Sequence, residues 1–196
     1  MTTLKAERRD MQTKAKKLRR EGFVTGNVFG KTMEGSIPLQ FPKGEIEQLL
    51  KTKNKGSQIM LDLEGEQIDV LIKEVDFNPL KGAVDEIDFQ ALVSGEKVHS
   101  VAEVVLLNHE KVITGVLQQL LEEIAYKAVP DALVEKVEID VGSLRVGDRI
   151  KVKDLPIAED KDIDLITDPE ATVVVVSEVH NKAADDAEEA EGTAEA

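Results

Sequence analysis

Ile59-Met60-Leu61-Asp62-Leu63-Glu64-Gly65-Glu66-Gln67-Ile68-Asp69-Val70-Leu71-Ile72 decides the fold. Apolar side chains alternate at Ile59, Leu61 and Leu63, stop at Glu64-Gly65, and alternate again at Ile68, Val70 and Ile72. A period of two puts one row on a buried face, and an acidic residue followed by Gly supplies the left-handed pair of a tight hairpin turn. The centre of the first half of the chain is therefore an antiparallel pair with one wet face.

The same rhythm extends to both sides. Residues 23–29 and 36–41 read as strands joined by a turn over residues 30–35, with Ile37, Leu39 and Phe41 alternating. Pro42-Lys43-Gly44-Glu45 opens a short helix whose Ile46, Leu49 and Leu50 share a face. After the turn-forming Asn78-Pro79-Leu80-Lys81-Gly82, residues 84–93 form a strand with Ile87, Phe89 and Ala91 inward and Glu86, Asp88 and Gln90 outward. Near the start, Thr13 is expected to cap a helix over residues 14–21 that ends at Gly22. Strands without a β-α-β alternation favour a small barrel or curled sheet over a parallel α/β fold.

From about Gly95 the chain is again strand-rich, over residues 101–107, 134–141, 149–152 and 172–179. The stretch 116–128 fits two periods at once. Val116, Leu117, Leu120, Leu121 and Ile124 repeat at helical spacing, whereas Ile124, Tyr126 and Ala128 alternate, so a short turn or helix near 117–120 is expected before a strand ending at Pro130.

Charge divides the chain unevenly. Residues 1–91 carry 15 basic and 15 acidic side chains, residues 92–182 carry 10 and 18, and residues 183–196 carry six acids and no base. Within the first 20 residues, however, eight Lys and Arg face two acids, in a chain whose net charge is −14. Such a reversal concentrates positive potential at one place and points to a polyanion, nucleic acid foremost, reached by a basic N-terminal arm. The cluster Lys14, Lys16, Lys17, Arg19 and Arg20 is its densest part. Arg forks onto phosphate oxygens, and Lys adds a mobile point charge.

Other chemistries find little support. With no Cys there is no disulfide framework or thiolate metal site, as in a reducing compartment. Without Trp, and with one Tyr and five Phe, the core must be aliphatic and an extended base-stacking platform is not expected. Gly26-Asn27-Val28-Phe29-Gly30-Lys31-Thr32 approaches a phosphate-binding loop but has three residues between its glycines where four are needed, so it reads as a hairpin connection. Asp160, Asp162 and Asp164 have calcium-loop spacing, yet Leu165 and Ala171 occupy the positions of the loop's Gly and Glu. His99, His109 and His180 stand apart. No catalytic constellation, cofactor or small-molecule substrate is expected. Charge appears before any apolar run at the N-terminus, and no apolar run approaches the roughly 20 residues of a membrane span, so a cytoplasmic protein with no membrane partner is expected.

Two segments resemble a known family. Lys17-Leu18-Arg19-Arg20-Glu21-Gly22 followed by Gly26-Asn27-Val28-Phe29-Gly30, and Asn78-Pro79-Leu80-Lys81-Gly82 followed by Glu86-Ile87-Asp88-Phe89-Gln90, resemble the signatures of the Ctc general stress protein family, large-subunit ribosomal proteins that bind 5S rRNA. Gly115-Val116-Leu117-Gln118-Gln119, residues 137–144 and Asp154-Leu155-Pro156 resemble the C-terminal domain of its long members.

The resemblance implies a mainly β protein with short helices. A six-stranded-type β-barrel over residues 1–92 would grip the minor groove of an internal-loop RNA helix. A β-rich acidic domain over residues 93–182 and a disordered acidic tail over residues 183–196 would follow. It implies a monomer outside the ribosome, with 5S rRNA and the large ribosomal subunit as partners. The RNA-contacting arginines fall on Arg9 and Arg19, with Arg20 adjacent, and the family's carboxylate falls on Asp88. Two positions depart: Phe29 stands where Tyr is usual and Glu86 where His is usual. Phe29 loses a hydroxyl, and Glu86 would repel phosphate if unpaired, or would already be neutralised if it pairs with a neighbouring base such as Lys81 or Arg19. A diverged, stress-linked interaction module with conditional ribosome binding is the alternative implied by those departures.

Overall fold

The computed structural model describes residues 2–112 and 115–178. The expected acidic tail and His180 lie outside the described residues. Thirteen strands dominate them.

The hairpin forms as its sequence dictates. Strand β4 (Gln58–Leu63) pairs antiparallel with β5 (Glu66–Asn78), and the turn places Glu64 and Gly65 at φ of 55° and 93°. Two successive left-handed residues match the right-handed twist of the strands they join. β6 (Ala83–Ala91) returns antiparallel to β5. β2 (Phe23–Phe29) lies parallel to β6 and antiparallel to β3 (Ile37–Pro42). The Gly26 to Thr32 stretch accordingly runs from β2 into a hairpin loop, not into a phosphate-binding helix.

Closure comes from a strand absent from the sequence reading. The basic N-terminus is not a free arm: residues Thr3–Arg8 form β1, antiparallel to β3 and parallel to β4, and complete a six-stranded barrel in the order β1-β3-β2-β6-β5-β4. Leu4 and Ala6 point inward from β1 to join Val28, Leu39, Phe41, Ile59, Leu61, Ile72, Ile87 and Phe89. The Phe41 and Phe89 rings meet edge-to-face, with centroids 5.5 Å apart. The fully buried phenyls each contribute about 1.5–3 kcal/mol of burial free energy.

Two helices sit on this frame. α1 (Ala15–Arg20) is shorter than expected, and Lys14, not Thr13, is its N-terminal boundary residue, without a side-chain cap. Thr13 is diverted because its backbone N–H and hydroxyl both turn back to Asp10. Leu18 anchors the helix and Gly22 leaves it at φ 90°. α2 (Lys43–Leu49) closes one end of the barrel with Ile46 and Leu49.

The second core lies between two sheets. One has the order β10 (Lys136–Asp140), β7 (Val98–Leu107), β9 (Glu123–Ala128), β12 (Ile163–Leu165), and the other β11 (Arg149–Lys151), β13 (Thr172–Ser177), β8 (Val116–Gln119). Residues 116–119 are thus a strand, not the expected turn or helix, because they pair with Val174 to Ser177 of β13. The 134–141 strand begins at Lys136, since Val134 bonds the buried Tyr126 hydroxyl through both its N–H and its C=O, at 2.8 and 2.9 Å.

Lysines 53 and 55, after α2, meet Glu135 at 2.6 Å and Glu123 at 3.0 Å, so barrel and second core are joined by ion pairs. The backbone also approaches closely there. A Cβ on Gly56 would lie 2.1 Å from the Val101 carbonyl oxygen.

Candidate nucleic-acid interface

The β2–β6 register builds the site from alternation alone. Val24, Gly26 and Val28 face the core, which turns Thr25, Asn27 and Phe29 to the other side, while β6 turns out Glu86, Asp88 and Gln90. The parallel register sets Thr25 beside Glu86, Asn27 beside Asp88, and Phe29 beside Gln90. Gly26 makes this seam: a Cβ there would stand 2.0 Å from the Ile87 carbonyl oxygen, so no other residue lets the strands approach.

A hydrogen-bonded chain runs from α1 across this seam. Arg19 donates from Nε to the Asp85 carbonyl at 2.9 Å and from Nη2 to Thr25 Oγ1 and Glu86 Oε2, both at 3.4 Å. The other Glu86 oxygen accepts from Asn27 Nδ2 at 3.4 Å. Asp88 Oδ1 accepts from the Asn27 backbone N–H at 3.0 Å and from Nδ2 at 3.1 Å. Glu86 is therefore paired with Arg19, one of the two bases the sequence offered as its partner, and it is not the free repelling anion of the other expectation.

Arg9 is tied to the entry of α1. Its Nη2 donates to the Thr13 carbonyl at 3.1 Å, and its buried Nε has no partner among the described residues. Lys14, Lys16, Lys17 and Arg20 are exposed on α1, with Lys17 loosely paired to Glu21 at 3.8 Å. Phe29 is half-buried at the far end of β2. The fold thus gathers Arg19, Glu86 and Asp88 into one network, sets the lysines and Arg20 on the adjoining helix, and leaves Phe29 at the opposite end of the strand.

Sequence reading missed Thr25 and Asn27, although the alternation of β2 marks both as outward. It also missed Glu74 and Asp76. These stand opposite Asp88 and Glu86 across β5–β6 and with them line a depression of about 200 Å³. Asp85 braces the Asn78–Gly82 loop: Asn78 Nδ2 donates to it at 3.0 Å and Lys81 lies 3.6 Å away. The Asn78 hydrogen bond foremost, with the Lys81 and Arg19 charges, holds its carboxyl below the usual range against the opposing effect of burial.

Chemically the surface has two halves. α1 supplies cationic donors suited to phosphate, and the β6–β5 face supplies acceptors suited to 2′-hydroxyl and base amino donors. Among the described residues no group of three or more His, Cys, Asp or Glu side chains is arranged to hold a metal ion. Asp164 of the spaced acidic triplet is bonded to Lys97 at 2.6 Å. Among the described residues no helix is long and apolar enough to cross a membrane.

Comparison with known proteins agrees with both halves of the fold. Residues 4–89 match the Ribosomal L25p family, and residues 97–180 match the C-terminal domain of ribosomal protein TL5. The large ribosomal subunit protein bL25 of Listeria monocytogenes serotype 4b is 31% identical over 180 residues, covering 90% of this chain and 86% of that protein. That of Caldanaerobacter subterraneus subsp. tengcongensis is 29% identical over 198 residues, covering 98% of each. That of Exiguobacterium sibiricum is 31% identical over 180 residues, covering 90% and 79%.

A closed barrel carrying a basic helix, followed by a second β unit, is here matched domain by domain to structural ribosomal proteins. The chain belongs to the bL25 family, in the form that carries a TL5-type C-terminal domain.

Proposed function

We propose that the protein is a component of the large ribosomal subunit that binds 5S rRNA in the cytoplasm through its barrel, residues 1–92, with the β-rich unit over 93–182 outside the primary contact. The observation that carries this reading is the bonded chain Arg19–Glu86–Asn27–Asp88, which continues the cationic surface of α1 into a row of acceptors. Arg9, Arg19, Arg20, Lys14, Lys16 and Lys17 are assigned to the sugar-phosphate backbone. Asp88 accepts from 2′-hydroxyl or base amino groups, Phe29 packs against a sugar, and Glu86 acts by holding Arg19 and Asn27.

Co-sedimentation of the full chain with large subunits lacking this protein tests the reading. Stoichiometric binding that weakens as salt rises is expected. Absence of binding at low salt would refute it.

A further inference from the structure

A second cationic site lies away from that surface, in the cleft between barrel and second core. The cleft has a volume of about 210 Å³. Val101, Ala125 and Ile166 provide an apolar floor, and Gly56 forms part of the wall. Lys55 and Lys73 from the barrel and His99 from β7 line the rim, and Lys127, outside the lining, stands cross-strand from His99 and two residues along β9 from the floor residue Ala125.

Few carboxylates answer these charges. Glu123 pairs with Lys55 at 3.0 Å, and Asp164, the β12 neighbour of Lys127, is bonded to Lys97. Among the described residues neither Lys73 nor Lys127 is within ion-pair distance of a carboxylate; Lys73 instead donates to the His99 carbonyl at 2.8 Å. Mutual repulsion follows. Burial, and then Lys55, lower the Lys73 ammonium from its ordinary value, and burial, Lys127 and Lys73 do the same to the His99 imidazole. In a chain of net charge −14, Lys73 from the barrel and Lys127 from the second unit are thus left beside one cleft without a carboxylate in ion-pair distance among the described residues.

We propose that this cleft binds one phosphate-bearing nucleotide unit, with the phosphate held by Lys73 and Lys127 and the base or sugar laid on Val101, Ala125 and Ile166. The cleft is smaller than the roughly 300–1,000 Å³ of pockets for drug-sized ligands, so it admits a single unit and not a duplex. Ammonium groups bind phosphate as point charges, and the floor rewards a ring with burial. The unit is either a free mononucleotide or an unpaired nucleotide of an RNA strand. This site is separate from the α1 surface, and its failure would leave the 5S rRNA reading untouched.

The test is amide NMR on the full chain titrated separately with AMP, adenosine and a single-stranded RNA hexanucleotide, repeated on the Lys73→Gln/Lys127→Gln variant. Saturable shifts at Gly56, His99, Val101 and Ile166 with AMP are expected, about tenfold weaker with adenosine and in the variant, a difference of about 1.4 kcal/mol. The same shifts with the hexanucleotide alone, lost in the variant, would make an RNA strand the source and also support the site. Amides elsewhere should keep their positions in the variant, which shows that it folds. Absence of cleft shifts with both about 10 mM AMP and about 1 mM hexanucleotide would overturn the proposal, as would adenosine binding equal to AMP or undiminished binding by the variant.

Discussion

Arg19 and Glu86, 67 residues apart in sequence, meet at 3.4 Å beside the β2–β6 seam, and the Asp85 carbonyl and Thr25 hydroxyl hold the same guanidinium. The cation assigned to RNA is thus oriented before RNA arrives, by an anion that at first sight opposes binding. Holding a long side chain in place lowers the ordering cost of association, which is why the pair favours recognition although it adds little stability.

Replacing Glu86 is accordingly expected to bring no gain. Glu86→His removes one acceptor from each of Arg19 and Asn27 and sets a ring beside a guanidinium. Binding of 5S rRNA should be equal or weaker than wild type at every point of a salt series, measured by filter retention. Because the pair is partly exposed, unfolding free energy should change by less than about 1 kcal/mol. Tighter binding, most evident at low salt, would show that Glu86 repels phosphate after all.

The seam itself is tested at Gly26. Gly26→Ala places a methyl where the Ile87 carbonyl oxygen already stands. The parallel pairing of β2 with β6 must open, at a cost of about 3 kcal/mol or more by urea unfolding. A loss below about 1 kcal/mol would mean that the strands are not so close.

Much of this arrangement is legible in the chain and some is not, for physical reasons. The β4–β5 hairpin and the outward row Glu86, Asp88, Gln90 follow from a period of two, which local sequence displays. β1 hides because it has only two inward residues, Leu4 and Ala6, too few for alternation to stand out among the charges around them, and because its partners β3 and β4 are remote in sequence. Residues 116–119 carry a helical spacing that pairing with β13 overrides. The sequence offered both Lys81 and Arg19 as partners of Glu86, and only closure decides between them: Lys81 turns to Asp85 and Arg19 meets Glu86 once β2 lies beside β6.

In the second core, Tyr126→Phe should destabilise by about 1–3 kcal/mol, since the hydroxyl bonds Val134 at both its N–H and its C=O and the phenyl ring offers neither a donor nor an acceptor. Urea unfolding followed by hydrogen exchange at Val134 would detect the loss. An unchanged midpoint would contradict the bonding seen here.

Acid should act on the same unit through Glu170. Lys151 and Lys153 bond its two oxygens at 2.7 and 2.6 Å, and those bonds foremost lower its carboxyl to about 2. A folded value below the unfolded one stabilises above the unfolded pKa of about 4.5 and is lost as pH falls towards about 2. Glu170→Gln should flatten the pH dependence of stability across that interval and leave the slope above pH 6 unchanged. An identical acid profile in the variant would remove Glu170 from the account.

The most direct test of the central claim is the affinity of the full chain for 5S rRNA over a salt series, beside Arg9→Ala and Arg19→Ala. If about four phosphates are neutralised, the logarithmic salt slope should be about −3 to −4. Arg19→Ala should bind about tenfold more weakly, a loss of about 1.4 kcal/mol, with a slope shallower by about one. Arg9→Ala should weaken binding in the same direction. Affinity and slope unchanged in both variants would contradict the assignment of this surface to RNA.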